Sequence, residues 1–513
     1  MPEGRDPLAE ATELFRAGRG REAQAVLAPA MAAGLDDADA HRIMGLILHS
    51  LGDLAGCERE LRTVVRMLPA EELATQTLAR MLASQGRSEE AADAWQALTA
   101  AAPGHASAHY GLAAALYTVG REEPAEAACR RAIALGLDAV EPWVFLGRLL
   151  LVQSRLEEAE AAYREAVARD LLSATAQREL AQLIWMRTAD VAKARALLDA
   201  APPTADLTAV TVKLLQDAGE DAAAYALAAE RAGRDASLQV LAARVALRVD
   251  PALCDRHFAL SPPWVNPLAR AKGEIEADLA LGRGAQAVRR ADALSAAHPQ
   301  DHYVTALKAA AWRMAGDARL DQLYDYGRLV KAYRIDAPEG WTSLAAYLAD
   351  LERALDRLHG PLTHPVGQSL RHGSQTQRSL LDYPDPEIQA LFRAIDAPIR
   401  RHIAAIGEQG GYEVAGAWSV RLNPSGHHVD HVHPEGWLSS AFYIRLPADT
   451  PGREGWIKFG EPGTPTSPPL EPGHWVKPEP GLLVLFPSYM WHGTAPFSSG
   501  GTRLTCAFDL VRA

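Results

Sequence analysis

The feature that most constrains this 513-residue chain is an internal repeat of 34 residues near its start. Glycines recur at this spacing, and a serine occupies the fifth position: Gly18, Gly52, Gly86, Gly120 and Ser154. Each is followed five residues later by a small side chain: Ala23, Cys57, Ala91, Ala125 and Ala159. Glycine supplies the left-handed backbone that a turn between helices often needs, and the small residue allows close helix packing. The pattern therefore predicts stacked helix pairs that bury their apolar faces against one another.

These spacings resemble the tetratricopeptide repeat, whose period is 34 residues. The resemblance implies a concave helical array that commonly binds peptides or proteins. We assign residues 1–204 to such repeats. Residues 205–335 remain rich in alanine, leucine and arginine, and Gly282 and Gly316 are again 34 residues apart. We therefore predict degenerate helical repeats over 205–335, with one irregular helical domain as the alternative.

Composition limits the possible partners and the compartment. The formal net charge of −12 argues against a chain built to coat nucleic acid. The four cysteines form no Cys-x-x-Cys motif, so neither a disulfide framework nor a zinc site is expected. The first residues lack the apolar run of a signal peptide, and no stretch reaches the roughly 18 apolar residues of a membrane helix. We expect no membrane association and a cytoplasmic location.

The hydrophobic pattern changes to a period of two after Gly410 and Gly411. Five segments alternate in this way and are separated by glycine and proline clusters: Val414–Leu422, Leu438–Leu446, Gly455–Phe459, Leu482–Phe486 and Arg503–Val511. Short strands with turn signals between them predict a sandwich or barrel-like double sheet over residues 412–513. Residues 336–411 are expected to be a helical lead-in, with helices over Leu344–Leu358 and Glu387–Ile406 and an irregular segment between them.

Histidines concentrate within these last hundred residues. Four of them and one aspartate lie between His427 and His433, and His492 follows a later strand. Residues two apart in a strand point the same way, so two metal-ligand pairs are possible: His428 with Asp430, and His431 with His433. Histidine and carboxylate ligands with open positions suit non-haem iron(II). The spacing alone does not choose between the two pairs.

Three ordered motifs resemble a bacterial branch of the 2-oxoglutarate/iron(II) oxygenases, which often occurs fused to tetratricopeptide repeats. The first is His431–Tyr443, beginning His-Val-His-Pro, and the second is Phe486-Pro487-Ser488 followed by Trp491-His492-Gly493. The third is Arg503-Leu504-Thr505, and the segment Gln368–Thr376 resembles the lead-in of that branch. The resemblance covers roughly residues 360–511 and implies a double-stranded β-helix, or jelly roll, with flanking helices.

The resemblance also implies a set of site residues. Iron(II) would be held by His431, His433 and His492, although the wider superfamily has His-x-Asp where this chain has His-x-His. Arg503 would clamp the distal carboxylate of the co-substrate 2-oxoglutarate, because guanidinium is a planar two-pronged donor. Thr505 would donate a second hydrogen bond from the same face of the strand. His428 and Asp430 remain the alternative pair.

The function implied is that of a 2-oxoglutarate-dependent dioxygenase, an oxidoreductase, which hydroxylates a protein or peptide recruited by the repeats. Two alternatives remain open. One is a non-catalytic tetratricopeptide scaffold with a degenerate metal-binding barrel. The other is a cupin-like metalloenzyme that does not use 2-oxoglutarate, which has no need of a clamp such as Arg503 and Thr505.

Overall fold

The computed structural model describes residues 6–360, 362–448 and 450–513. Contacts divide the chain into two compact units, Met1–Asp170 and Leu171–Ala513. Among the described residues, no helix is both long and apolar enough to cross a membrane.

The first unit consists of helix pairs that follow the sequence repeat. Its helices, α1 to α10, are Pro7–Arg16, Gly20–Ala32, Ala38–Ser50, Leu54–Met67, Glu72–Ser84, Ser88–Ala101, Ala106–Thr118, Glu122–Ala134, Val140–Val152 and Leu156–Arg169. The repeat glycines lie in the turn between the two helices of each pair and have positive φ. Ser154, at the fifth equivalent position, also has a positive φ of 59°. The small residues five positions later are buried. The predicted helical solenoid is therefore confirmed.

Helices continue through the first part of the second unit. Helices α11 to α19 are Ala174–Thr188, Val191–Asp199, Ala205–Asp217, Asp221–Ala232, Gln239–Ala246, Ala252–Leu260, Pro267–Ala280, Gly284–Ala297 and His302–Ala315. Two short helices follow, α20 (Leu320–Leu323) and α21 (Tyr326–Leu329). Two longer ones, α22 (Leu344–Asp356) and α23 (Pro386–Ala405), lie where the sequence predicted them.

The C-terminal part forms two antiparallel sheets. Strands β1 to β9 are Lys331–Arg334, Leu370–Gln375, Tyr412–His428, Leu438–Arg445, Ile457–Phe459, His474–Val476, Leu482–Pro487, His492–Thr494 and Arg503–Arg512. One sheet has the order β1-β7-β4-β9-β3-β2, and the other has the order β6-β5-β8. This arrangement is consistent with the predicted jelly roll, and all five predicted strands are present. The sequence missed β1, β2, β6 and β8, which are short, and β2 lies in the segment expected to be irregular.

The late helices and the sheets share one hydrophobic core. Its buried members come from helix α17 onwards and from both sheets, and include Ile275, Leu307, Ile395, Phe442 and Phe486. Strand β1, within the range expected to be helical repeats, pairs antiparallel with β7 at the edge of the larger sheet. The domain boundaries assigned after residues 204, 335 and 411 stay predictions.

Candidate metal centre and its pocket

Backbone pairing brings three histidines from distant parts of the chain to one place. His431 follows the end of β3 and forms an isolated antiparallel bridge with His492, the first residue of β8. The amide of each donates to the carbonyl of the other, at 2.9 and 3.0 Å. The amide of His433 donates to the carbonyl of Ser488 at 3.0 Å, in the turn between β7 and β8. The three positions are therefore held by main-chain hydrogen bonds.

The imidazole rings of His431, His433 and His492 converge. Each offers a nitrogen, and these atoms lie within 4.8 Å of one another. The Nε2 atoms of His431 and His433 are 3.2 Å apart. Among the described residues, these three histidines form the one group of three or more histidine, cysteine or acidic side chains that is spaced to hold a metal ion.

The other ring nitrogen of each histidine has an acceptor as its partner. Nδ1 lies 2.8 Å from the Val429 carbonyl in His431 and 2.9 Å from the Met490 carbonyl in His492. In His433 it lies 2.5 Å from Oδ2 of Asp509. Carbonyl and carboxylate oxygens only accept, so Nδ1 carries the hydrogen in all three rings. The lone pair of Nε2 is then free to bind a metal, and the outer partner fixes the orientation of the ring.

Burial keeps two of these rings in the metal-binding form. It lowers the pKa of His431 to about 3, with a smaller effect from the neighbouring His433. Burial also lowers the pKa of His492 well below its ordinary value. Metal ligation requires neutral imidazole, so His431 and His492 are suited to bind a metal at neutral pH.

The alternative pair, His428 and Asp430, is arranged differently. Oδ2 of Asp430 accepts a hydrogen bond from Nζ of Lys458 at 2.8 Å, and burial raises the pKa of this carboxyl to about 6. Nδ1 of His428 is 2.9 Å from Oγ of Ser369, and its ring stacks on His431 with centroids 6.0 Å apart. The structure therefore places His428 beside the histidine cluster and does not bring Asp430 into it.

Arg503 is buried in the wall of the same cavity, and no described residue gives it an anionic partner. The cavity has a volume of about 770 Å³ and is lined by all three clustered histidines, His428, Arg503 and Thr505. Arg503 is 2% exposed, and its Nε and Nη1 are buried with no hydrogen-bond partner among the described residues. Its guanidinium lies over the ring of Tyr443, 5.2 Å from the centroid, and the buried Tyr443 hydroxyl faces no acceptor at hydrogen-bond distance among the described residues. Burial lowers the pKa of Arg503. Because an uncompensated buried charge is costly, this wall is suited to an anion.

Two residues of the site were missed from the sequence. Asp509 lies on the same strand as Arg503 and, at an even spacing from it, on the same face. Its Oδ1 accepts from Oγ of Ser439 at 2.7 Å, while its other oxygen meets His433. An acidic residue on the inner face of an apolar strand was the signal available in the sequence. Tyr443 gave no such signal, because buried tyrosines are common in sheets.

Three similar solved structures each cover between 33% and 44% of the chain. A MamA fragment from Desulfovibrio magneticus RS-1 is 20% identical, with 33% of this chain and 98% of that chain covered and a TM-score of 0.30. A thermophilic tetratricopeptide repeat protein of Thermus thermophilus is 22% identical, with 35% and 98% covered and a TM-score of 0.26. A repeat protein from Parabacteroides merdae is 16% identical, with 44% and 90% covered and a TM-score of 0.34. No curated protein matches the chain.

Family models match both halves of the predicted architecture. Residues 8–63, 77–139 and 146–206 match the tetratricopeptide repeat. Residues 416–509, which contain the three clustered histidines and Arg503, match the model described as "Putative 2OG-Fe(II) oxygenase". The chain therefore contains a region that matches the putative 2OG-Fe(II) oxygenase model, behind a region that matches tetratricopeptide repeats.

Proposed function

We propose that this protein is an iron(II)- and 2-oxoglutarate-dependent dioxygenase that hydroxylates a protein or peptide. The observation that carries the proposal is the convergence of three Nε2 atoms in one cavity with a buried, unpartnered guanidinium. The first feature fits a metal and the second fits the carboxylate of a co-substrate. When bound, iron(II) and 2-oxoglutarate would supply the oxidising chemistry, with dioxygen consumed as succinate, carbon dioxide and a hydroxylated product form.

Metal binding would fall to His431, His433 and His492. Three neutral ligands leave the full charge of the ion uncompensated, whereas the usual facial triad includes a carboxylate. Asp509 lies one ring away, with its carboxylate against Nδ1 of His433. It makes that imidazole a stronger donor and places a negative charge near the metal. In this way the chain compensates for the carboxylate that the His-x-His motif lacks.

Co-substrate binding would depend on Arg503, with Tyr443 and Thr505 beside it. Nε and Nη1 of the guanidinium are buried donors with no hydrogen-bond partner among the described residues, so a carboxylate in the cavity can satisfy them. Oγ1 of Thr505 is 3.5 Å from the Val420 carbonyl, a long contact that leaves its hydroxyl free to turn. These groups define which end of a dicarboxylic acid lies away from the histidines.

One side of the histidine cluster is apolar. The Phe486 ring lies 4.6 Å from that of His492, and the Phe459 ring lies 6.5 Å from it. Both phenylalanines are almost fully buried. They exclude water from that side, which strengthens the electrostatic contacts of the site. A substrate must therefore enter from the open side of the cavity.

The repeats support a macromolecular substrate. Residues that match the tetratricopeptide model form helix pairs, and such arrays typically present a concave surface to peptides or proteins. A separate binding array would be of little use to an enzyme whose substrate fits wholly within its active site.

The test is succinate release from 2-oxoglutarate by the full-length protein loaded with iron(II) in air. We expect slow succinate release without a primary substrate. The variant His492→Ala should lose both this release and the bound iron. His427→Ala is the matched control. Nδ1 of this neighbouring ring meets the Ser425 carbonyl and the ring is not part of the histidine cluster, so the substitution should leave succinate release and bound iron unchanged. A protein that binds iron but releases no succinate from 2-oxoglutarate would favour a cupin-like metalloprotein. A protein that binds no iron would favour a non-catalytic scaffold.

A further inference from the structure

A second cavity adjoins the one that holds the histidine cluster. It has a volume of about 610 Å³ and is lined by residues of the late helices, among them Arg244, Lys272 and Tyr303. Pro434, the residue directly after His433, lines both cavities. The two cavities therefore meet at Pro434, and the second one lies among α15, α17 and α19. A small molecule bound beside the histidines would leave the second cavity empty.

Two arginines four residues apart, Arg244 and Arg248, line different cavities. Arg244 in α15 lines the second cavity, and Arg248, just past the end of α15, lines the first. Arg248 is exposed, and its guanidinium meets a backbone carbonyl, that of Gly463, at 3.4 Å. Arg244 is instead paired with the buried carboxylate of Glu276, at 3.3 Å. Of the two, Arg248 is the one with charge to offer to a ligand.

The rim of the first cavity carries a surplus of positive charge. Lys213, Arg248 and Arg371 line it, and the buried carboxylate of Asp217 contacts both Lys213 and Arg371, at 3.1 and 3.2 Å. Three cations and the carboxylate of Asp217 leave two positive charges. The exposed Glu435, which lines the same cavity, offsets one of them, so one positive charge remains. In a chain of net charge −12, a positive entrance is a local departure that attracts anions.

The second cavity differs from the first in its charge. Its two cations are both paired, Arg244 with Glu276 and Lys272 with Asp301, the latter at 2.6 Å. It can therefore accommodate uncharged backbone and side chains, while the attraction for anions is concentrated near the histidines. A ligand that suits both cavities is extended, with its negative charge at one end of the path.

We infer that the primary substrate is a polypeptide segment with aspartate or glutamate beside the residue to be oxidised. The segment runs from the second cavity over Pro434, and its acidic side chain contacts Arg248 and Lys213. This inference rests on the proposed function and narrows its substrate class. It also assigns substrate binding to helices of the second unit, around α13 and α15.

The test measures binding rather than turnover. Full-length protein is loaded with iron(II) and 2-oxoglutarate without oxygen, and fluorescence anisotropy is recorded with labelled 12-residue peptides. One peptide carries four glutamates among glycine, serine and alanine, and the other carries lysines at those positions. We expect the acidic peptide to bind at least tenfold more tightly, with a preference that weakens as salt is raised. Equal affinities would overturn the inference.

Substitutions locate the binding. Arg248→Gln should weaken the acidic peptide about 2- to 5-fold, as for loss of one exposed ion pair, and Arg248→Glu should weaken it further. Arg256→Gln in the adjacent helix α16 is the matched control, because Arg256 is exposed and lines neither cavity. An equal loss in both variants would overturn the inference, as would full displacement of the peptide by free glutamate at low concentration, which would point to a small acid.

The same samples separate this inference from the proposed function. Iron content and the absorbance change on adding 2-oxoglutarate are recorded for each. If the protein binds iron and 2-oxoglutarate but binds the acidic and basic peptides equally well, only the present inference is overturned. If the protein prefers the acidic peptide but binds neither iron nor 2-oxoglutarate, the proposed function is overturned and the binding site for acidic peptides stands.

Discussion

Replacement of Arg503 by methionine should change stability and co-substrate binding in opposite directions. Without an anion, the wild-type protein carries a guanidinium that is 2% exposed and has two nitrogens without partners. Methionine keeps much of the volume and removes the buried charge. Replacing even a buried ion pair by apolar side chains of similar volume is often neutral or stabilises a protein by about 1–4 kcal/mol, and an unpaired charge costs more to bury. Because the Tyr443 ring already offsets part of the cost, we expect a gain near the lower end, about 1 kcal/mol.

The binding effect should be larger and unfavourable. Hydrogen bonds to charged groups contribute about 1.5–3 kcal/mol, so 2-oxoglutarate should bind roughly 10- to 150-fold more weakly. A co-substrate at 100 times its wild-type Kd stabilises the wild type by about 2.7 kcal/mol. At the same concentration the variant should gain only about 0.3–1.4 kcal/mol.

The assay is thermal and denaturant unfolding of both proteins, loaded with iron(II) without oxygen, at several 2-oxoglutarate concentrations. Arg512→Met is the matched control, because Arg512 is on the same strand but half exposed and paired with Glu408. It should leave the response to 2-oxoglutarate unchanged. The reasoning is refuted if Arg503→Met keeps the wild-type response to 2-oxoglutarate, or if it loses stability without co-substrate while the iron content is normal.

Three further outcomes are expected. His431→Ala should abolish iron binding at micromolar metal, measured by metal analysis after desalting, whereas Asp430→Ala should retain it; the reverse result would make the alternative pair the ligands. Asp509→Asn should weaken iron binding about tenfold or more in equilibrium dialysis, since it removes the charge behind His433; an unchanged affinity would limit its role to packing. Expressed alone, residues 336–513 should be insoluble because they lack β1 and helices that share their core, while residues 171–513 should fold; a soluble, cooperatively unfolding 336–513 fragment would contradict this.

The sequence was most informative where a signal repeats or is local. A period of 34 residues depends on turn geometry and close packing within each helix pair, so it can be read without knowing how the chain folds back. Gly18 and its equivalents have the expected positive φ. The alternating strands of the C-terminal part were predicted for the same reason. Strands β1 and β2 were missed because they are largely polar, with the sequences Lys-Ala-Tyr-Arg and Leu-Arg-His-Gly-Ser-Gln.

The candidate site was only partly accessible from the sequence. Its motifs named His431, His433, His492 and Arg503, but spacing could not tell whether Asp430 belongs with the ligands. The tertiary structure directs that carboxylate to Lys458, 28 residues away along the chain, and brings Asp509 to His433 across 76 residues. Such pairings depend on how strands register in a folded sheet.

What the sequence determined by itself was the order of the parts and the chemical types of the site residues. Only the tertiary structure decided which of them meet. It pairs the main chain of His431 with that of His492, closing the ring of imidazoles. It also buries Nε and Nη1 of Arg503 with no hydrogen-bond partner among the described residues. Both outcomes follow from long-range packing, in which a side chain's neighbours are set by sheet register and burial rather than by its position along the chain.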